Sequence, residues 1–235
     1  MTKQNDSMTQ NQVSPGFGGT KLRIIAMLTM LADHTAVIFV SPEKMAGLYL
    51  FLRLVGRLSF MIFAFLLVVG FMHTKNIRNY ILRMLLLAFL SEVPFDLALQ
   101  GSVMEFGKQN VVFTLCIGLI MLAAIRHFGD STKAFIGFGM LACFVALFIG
   151  CDYSYIGILL IMFYYFDNFD KVGRIFSLVF LNVSTGDFLQ GVGGSCAIFF
   201  TEHYDGSPST LPKWFCYLFY PGHLLLLWGL HTLLF

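Results

Sequence analysis

From Leu22 onward the chain alternates long apolar runs with short polar breaks. The runs are Leu22–Val40, Ala46–Met72, Tyr80–Leu99, Val111–Ile125, Ala134–Ile149, Tyr155–Phe166, Val172–Leu189, Val192–Phe200 and Trp214–Phe235. They are apolar throughout, without the in–out alternation of a barrel strand, so each predicts a helix. A crossing of the hydrocarbon core takes about 20 such residues, and several runs reach that length. Val172–Leu189 is interrupted by Asn182, Ser184, Thr185 and Asp187, and Val192–Phe200 is short and follows Gly191. Residues 172–200 therefore read as one span or two. Residues 1–20, rich in Gln, Asn, Ser and Gly, read as a disordered tail, followed by one domain over 21–235. The first run carries Asp33 and His34 inside it and lacks a small-residue cleavage site, unlike a signal peptide.

Composition strengthens this pattern. Hydrophobic residues make up 57% of the 235 and charged ones 12%, against about a quarter charged in soluble domains. Mean hydropathy is +0.78. A water-soluble globule is excluded, and a net charge of +2 gives no footprint for nucleic acid. The expected class is an all-α polytopic integral membrane protein of about nine transmembrane helices, in contact with membrane lipids.

With nine spans the basic residues sort unequally. The tail and the breaks after spans two, four, six and eight hold eleven: Lys3, Lys21, Arg23, Lys75, Arg78, Arg83, Arg126, Lys133, Lys171, Arg174 and Lys213. The other side holds two, Lys44 and Lys108. Basic residues favour the cytoplasmic face, which predicts a cytoplasmic N-terminus. Merging spans seven and eight would move Lys213 and flip the last helix. Five scattered cysteines form no CxxC pair and read as small buried apolar residues. Gly191, Gly193 and Gly194 lack the Lys-Ser/Thr of a phosphate loop and read as close helix packing.

Charges inside apolar runs are costly and usually face a bundle interior. Asp33, Arg53, Arg57, Glu92 and Asp96 are such charges; the two arginines, like the last two carboxylates, are spaced i, i+4 and share a helix face. His34, twelve residues past Leu22, lies roughly 18 Å into the core at about 1.5 Å per residue. His223 and Arg57 fall at similar depths, with Arg53, Glu92 and Asp96 further outward. With Gln109, Asn110, Asp152, Tyr153 and Asp187 at or near the outer helix ends, these groups trace a funnel open to the outside with histidines at its floor. The same ions also suit a buried network that sets helix register. His34 suits proton transfer near neutral pH. His223 follows Tyr220-Pro221, where the proline bends the helix and frees a carbonyl.

Several stretches together resemble the TraX family of membrane proteins: AMLTMLADH (26–34), GRLSFMIFAFLLVVGFMHTKN (56–76), YILRMLLLAFLSEVPFDLAL (80–99), QNVVFTL (109–115), DYSYIGILLI (152–161) and KWFCYLFYPGHLLLL (213–227). Their order and spacing carry the match, with departures at Met61, Val69 and Gly222. The resemblance implies an acyl-CoA-dependent O- or N-acetyltransferase of the bacterial inner membrane. Acetyl-CoA would be the cytoplasmic donor and no metal would be needed. The acceptor would be extracytoplasmic: a pilin N-terminus, another peptide, a glycan or a lipid. By position it implies catalytic His34 with Asp33 beside it, and a site lined by Arg57, Glu92, Asp96, Asn110 and His223. Arg53 and Tyr220 join these as expected substrate or acyl-CoA contacts.

The acceptor must lose a proton as it attacks a thioester, and His34 is the expected base. Arg57 or Asn110 is the expected oxyanion donor. Adjacent helical residues point about 100° apart, so Asp33 is expected to pair with Arg57 or Arg53 instead of stacking under His34. The CoA phosphates would favour the rim carrying Lys21, Arg23, Lys75, Arg78 and Arg83. Two other functions draw on the same residues: a proton-coupled transporter using the His/Arg/carboxylate network, and a haem-binding electron carrier ligated by His34 and His223.

Overall fold

The structure is a computed structural model that describes residues 16–129, 131–166 and 171–234. Among these, nine α-helices follow in order: α1 (Gly19–Phe39), α2 (Ala46–His73), α3 (Ile77–Phe95), α4 (Val111–His127), α5 (Thr132–Ile149), α6 (Ser154–Tyr165), α7 (Lys171–Ser184), α8 (Ser195–Glu202) and α9 (Lys213–Leu234). No sheet forms among the described residues; two isolated bridges are the only extended pairings there. The polar breaks supply helix starts. Asn76, Asn110 and Ser131 each accept a backbone N–H from the first turn that follows, at 3.0, 3.0 and 3.2 Å, which satisfies donors a helix leaves open.

Among the described residues three helices are long and apolar enough to cross a membrane: α1, α2 and α5, of 21, 28 and 18 residues. α4 and α6 are apolar but shorter. The run Val172–Leu189 ends early, at Ser184, because Ser184 and Thr185 turn their hydroxyls onto the carbonyls of Leu181 and Asn182. Such bonds compete with the helical ladder. Gly186 then takes φ +73° and Asp187 accepts the Leu189 N–H at 2.9 Å, starting a new helical arm over 188–202. Residues 172–200 thus form two arms; α7, at 14 residues, spans only about 21 Å. Nine full crossings are therefore not established by helix length.

α2 sits at the centre, packed on α1, α4, α6 and α8, and 56% of its most apolar stretch is buried, against 17% for α5. α5 leaves Phe144 and Phe148 exposed at the periphery, as a lipid-facing helix does. Pro94, inside α3, has no N–H, and the ladder widens into a π turn over Asp96–Gln100, closed by Gly101 in the left-handed region.

The tail expected over 1–20 lies largely outside the described residues, but its last five residues are built in. Phe17 donates to the His203 carbonyl at 2.8 Å and accepts from Asp205 N–H at 3.3 Å; Gly19 donates to Ser207 at 2.9 Å. α1 accordingly starts at Gly19, not at Leu22. The Asp205 carboxylate braces this clasp by accepting from the Ser207 hydroxyl at 2.5 Å and its N–H at 2.8 Å, and those bonds hold it below its ordinary value of 3.8. A depressed carboxylate supports the fold above its unfolded value, and that support is lost as pH falls through the folded one. Protection of the Phe17 and Ser207 amides against hydrogen exchange should therefore drop on acidification below about pH 4, and an Asp205→Asn variant should show no such step.

Candidate functional site

Two cavities enter the bundle from opposite ends and meet near its middle. The first, of about 420 Å³, is reached past the end of α1, the start of α2 and the start of α6, and is lined by Asp33, His34, Arg53, Arg57, Lys108, Asp152, Tyr153 and Tyr220 among others. The second, about 580 Å³, opens between the start of α1, the end of α2 and the starts of α3 and α9. Its rim carries Arg23, His73, Lys75, Arg83 and Lys213, and its depth is largely apolar. Of the basic rim expected from sequence, Arg23, Lys75 and Arg83 line this cavity; Lys21 and Arg78 do not. Met30, Phe63, Val111, Leu115 and Tyr220 line both, so these five side chains are a septum one layer thick.

His34 lies one helical turn beyond Met30. Its Nδ1 is 2.7 Å from His223 Nε2, with the two rings nearly parallel. His223 Nδ1 is 2.7 Å from the Phe219 carbonyl. A carbonyl only accepts, so His223 Nδ1 carries the proton, and neutral His223 presents Nε2 as an acceptor. His34 must then donate through Nδ1, which leaves its Nε2 lone pair as the free base. His223 is buried and does not line the cavity: it fixes the tautomer from behind.

Asp33 pairs with Arg53 at 2.6 Å, resolving the two partners left open by the sequence. Gly56, opposite on α2, makes that approach possible: a Cβ there would overlap the Asp33 carboxyl. Lys108 and Asp152 form a second ion pair at 3.5 Å. Arg57 lies on the same helix face as Arg53 but has no carboxylate within 4 Å among the described residues. Its Nη1 donates to the Tyr153 hydroxyl at 3.4 Å, and its buried Nε has no hydrogen-bond partner among the described residues.

Glu92, Asp96 and Asn110, expected to line the site, do not line this cavity. Asn110 caps α4 with its side-chain oxygen, while its Nδ2 donates to the Ala88 carbonyl at 2.9 Å and to Glu92 in a short contact. With both functions of its amide engaged, it has no donor left for a reacting oxygen. Asp96 is fully buried and accepts from Glu105 N–H at 2.8 Å. These three residues brace α3, its π turn and α4 behind the cavity wall.

Tyr153 is a cavity residue outside the set expected to carry the chemistry. It and Ser154 take φ of +59° and +41°, conformations that cost a non-glycine residue roughly 1–3 kcal/mol each. Paired backbone bonds between Gln109 and the Gly150–Asp152 segment hold the turn, and the Tyr153 ring stacks on Phe60 at 3.9 Å. The signal available in the sequence is its place immediately before the apolar run in DYSYIGILLI.

Comparison with known proteins gives two matches. The family described as TraX protein matches residues 18–231. A "Probable fimbrial assembly protein FimC, serogroup H1" of Dichelobacter nodosus is 33% identical over 114 residues, 45% of this chain and 46% of that protein. The chain thus aligns with less than half the length of that relative. No solved structure matches.

Proposed function

Because the chain belongs to the TraX family, we propose that it is a multi-pass acyltransferase of the bacterial inner membrane, moving an acetyl group from cytoplasmic acetyl-CoA to an extracytoplasmic amine or hydroxyl. The observation that carries this reading is the back-to-back pair of cavities with the free Nε2 of His34 on the far side of a thin septum. The basic end, with Arg23, Lys75, Arg83 and Lys213 gathered around one cavity, is the cytoplasmic end by the bias of basic residues. It suits the phosphates of the donor, and its apolar depth suits the thioester arm. The acceptor enters the other cavity.

In the transfer, His34 Nε2 removes the proton from the acceptor amine or hydroxyl as that atom attacks the thioester carbonyl carbon. The carbonyl oxygen gathers charge in the tetrahedral state, and the C–S bond then breaks. His34 returns the proton to the departing thiolate, giving free thiol and an acetylated acceptor. With the Asn110 amide occupied, the Tyr220 phenol is the best-placed oxyanion donor: its ring centroid is 6.3 Å from that of His34 and it belongs to the septum where the thioester arrives. His223 stabilises the imidazolium by keeping Nδ1–H of His34 engaged.

The test is mass spectrometry of cell-envelope peptides, glycans and lipids with and without the protein. A component heavier by one acetyl group only when the protein is present supports the reading. Unchanged envelopes, together with solute uptake by sealed proteoliposomes lacking acyl-CoA, would replace it with a transporter.

A further inference from the structure

The charges of the outer cavity do not cancel within it. Asp33 is paired with Arg53, and Asp152 with Lys108. Arg57 remains, a guanidinium that among the described residues has one long bond to a phenol and a buried Nε without a hydrogen-bond partner. Asp33, already bonded to Arg53, and Asp187 act on it only from beyond ion-pair distance. An unpaired cation at membrane depth is expensive and is retained where a ligand supplies the opposite charge.

The position is also built. The π turn over Gln190–Gly194 packs directly on the Arg57 stem: a Cβ on Gly193 would come 2.8 Å from Arg57 Cβ and would overlap the Leu54 carbonyl. On the other side the Tyr153 hydroxyl is fixed by a strained turn and by the Phe60 ring. The guanidinium is thus held from two directions at the wall of the cavity that contains His34. A planar fork held this way matches carboxylate or phosphate oxygens better than a lysine would.

We infer that Arg57, oriented by Tyr153, anchors an anionic group, phosphate or carboxylate, on the molecule that enters the outer cavity. This inference rests on the proposed acyl transfer for the statement that this molecule is the acceptor; the anion site itself does not. The acceptor class becomes an amine or hydroxyl compound carrying a second, negatively charged group. A neutral acceptor would leave the guanidinium unpaired.

The purified full chain in detergent is titrated with three small amines, ethanolamine, β-alanine and phosphoethanolamine, by calorimetry, and each is then offered as acceptor with labelled acetyl-CoA. The two anionic amines should bind about 10-fold or more tightly than ethanolamine, as expected for a charge-assisted bond, and the tighter of them tells phosphate from carboxylate. Arg57→Gln should remove this preference, while Arg57→Lys and Tyr153→Phe should each reduce it; these two carry the test if the glutamine variant does not fold. Equal binding of all three amines, or a preference that survives the folded Arg57 variants, overturns the inference. If the anions bind through Arg57 but none of the three amines is acetylated, the anion site stands and its link to acyl transfer fails.

Discussion

Replacing His34 with alanine should lower acyl transfer by about 10²–10⁴-fold, the usual contribution of a positioned general base, while the protein stays folded in detergent. The size follows from the tautomer chain. Phe219, His223 and His34 are linked by two bonds of 2.7 Å, and only His34 Nε2 is left to take a proton. His223→Phe removes the acceptor that fixes that tautomer, so it should also cost activity, with a smaller loss because the base itself remains. Groups that act as one unit are not additive, so the double variant should be no slower than His34→Ala alone. Initial rates with labelled acetyl-CoA decide this. Full activity in His34→Ala would falsify the assignment of the base, and additive losses would break the dyad into two independent residues.

The second large effect concerns stability. Asp33 and Arg53 pair at 2.6 Å with side chains only 15% and 19% exposed. Removing one partner of such a pair leaves the other charge stranded, at a cost on the order of 3–5 kcal/mol. Asp33→Ala should therefore melt well below the parent in detergent, and Arg53→Met should do the same. Joining the two substitutions should recover a large part of the loss, since neither charge is then left without its partner. A double variant whose loss equals the sum of the singles would show that the pair contributes through its surroundings. Activity of the double variant separates this role from chemistry: if Asp33 only holds α1 against α2, transfer should persist wherever the fold does.

Much of the architecture is legible along the chain, because apolar runs and the polar caps between them are local signals. Asn76, Asn110 and Ser131 stand where the helices begin, and the polar break at 182–187 marks where α7 stops. The clasp of Phe17 on His203 was not visible, since it joins segments almost two hundred positions apart. The direction in which a charged side chain turns is not legible from its place along a run. Glu92 and Asn110 bond to each other, Asn110 also to the Ala88 carbonyl, and Asp96 to the Glu105 N–H beyond the π turn. Asp33, His34, Arg53 and Arg57 turn to the cavity. What separates these groups is which of them line the cavity, a property of packing across helices. Tyr153 stands at an outer helix end in the sequence, and what the structure adds is the positive-φ turn that carries its phenol to the cavity wall.

The five-residue septum has an electrical consequence. Where recesses reach inward from both ends of a bundle, the layer between them is thin, and a membrane voltage falls most steeply across it if water fills both. In this protein that layer is the one formed by Met30, Phe63, Val111, Leu115 and Tyr220. A unit charge moved through it, whether a proton or a departing thiolate, would exchange about 2.3 kcal/mol with each 100 mV of potential. If the proposed acyl transfer moves charge through this layer, turnover should differ between energised and de-energised membranes.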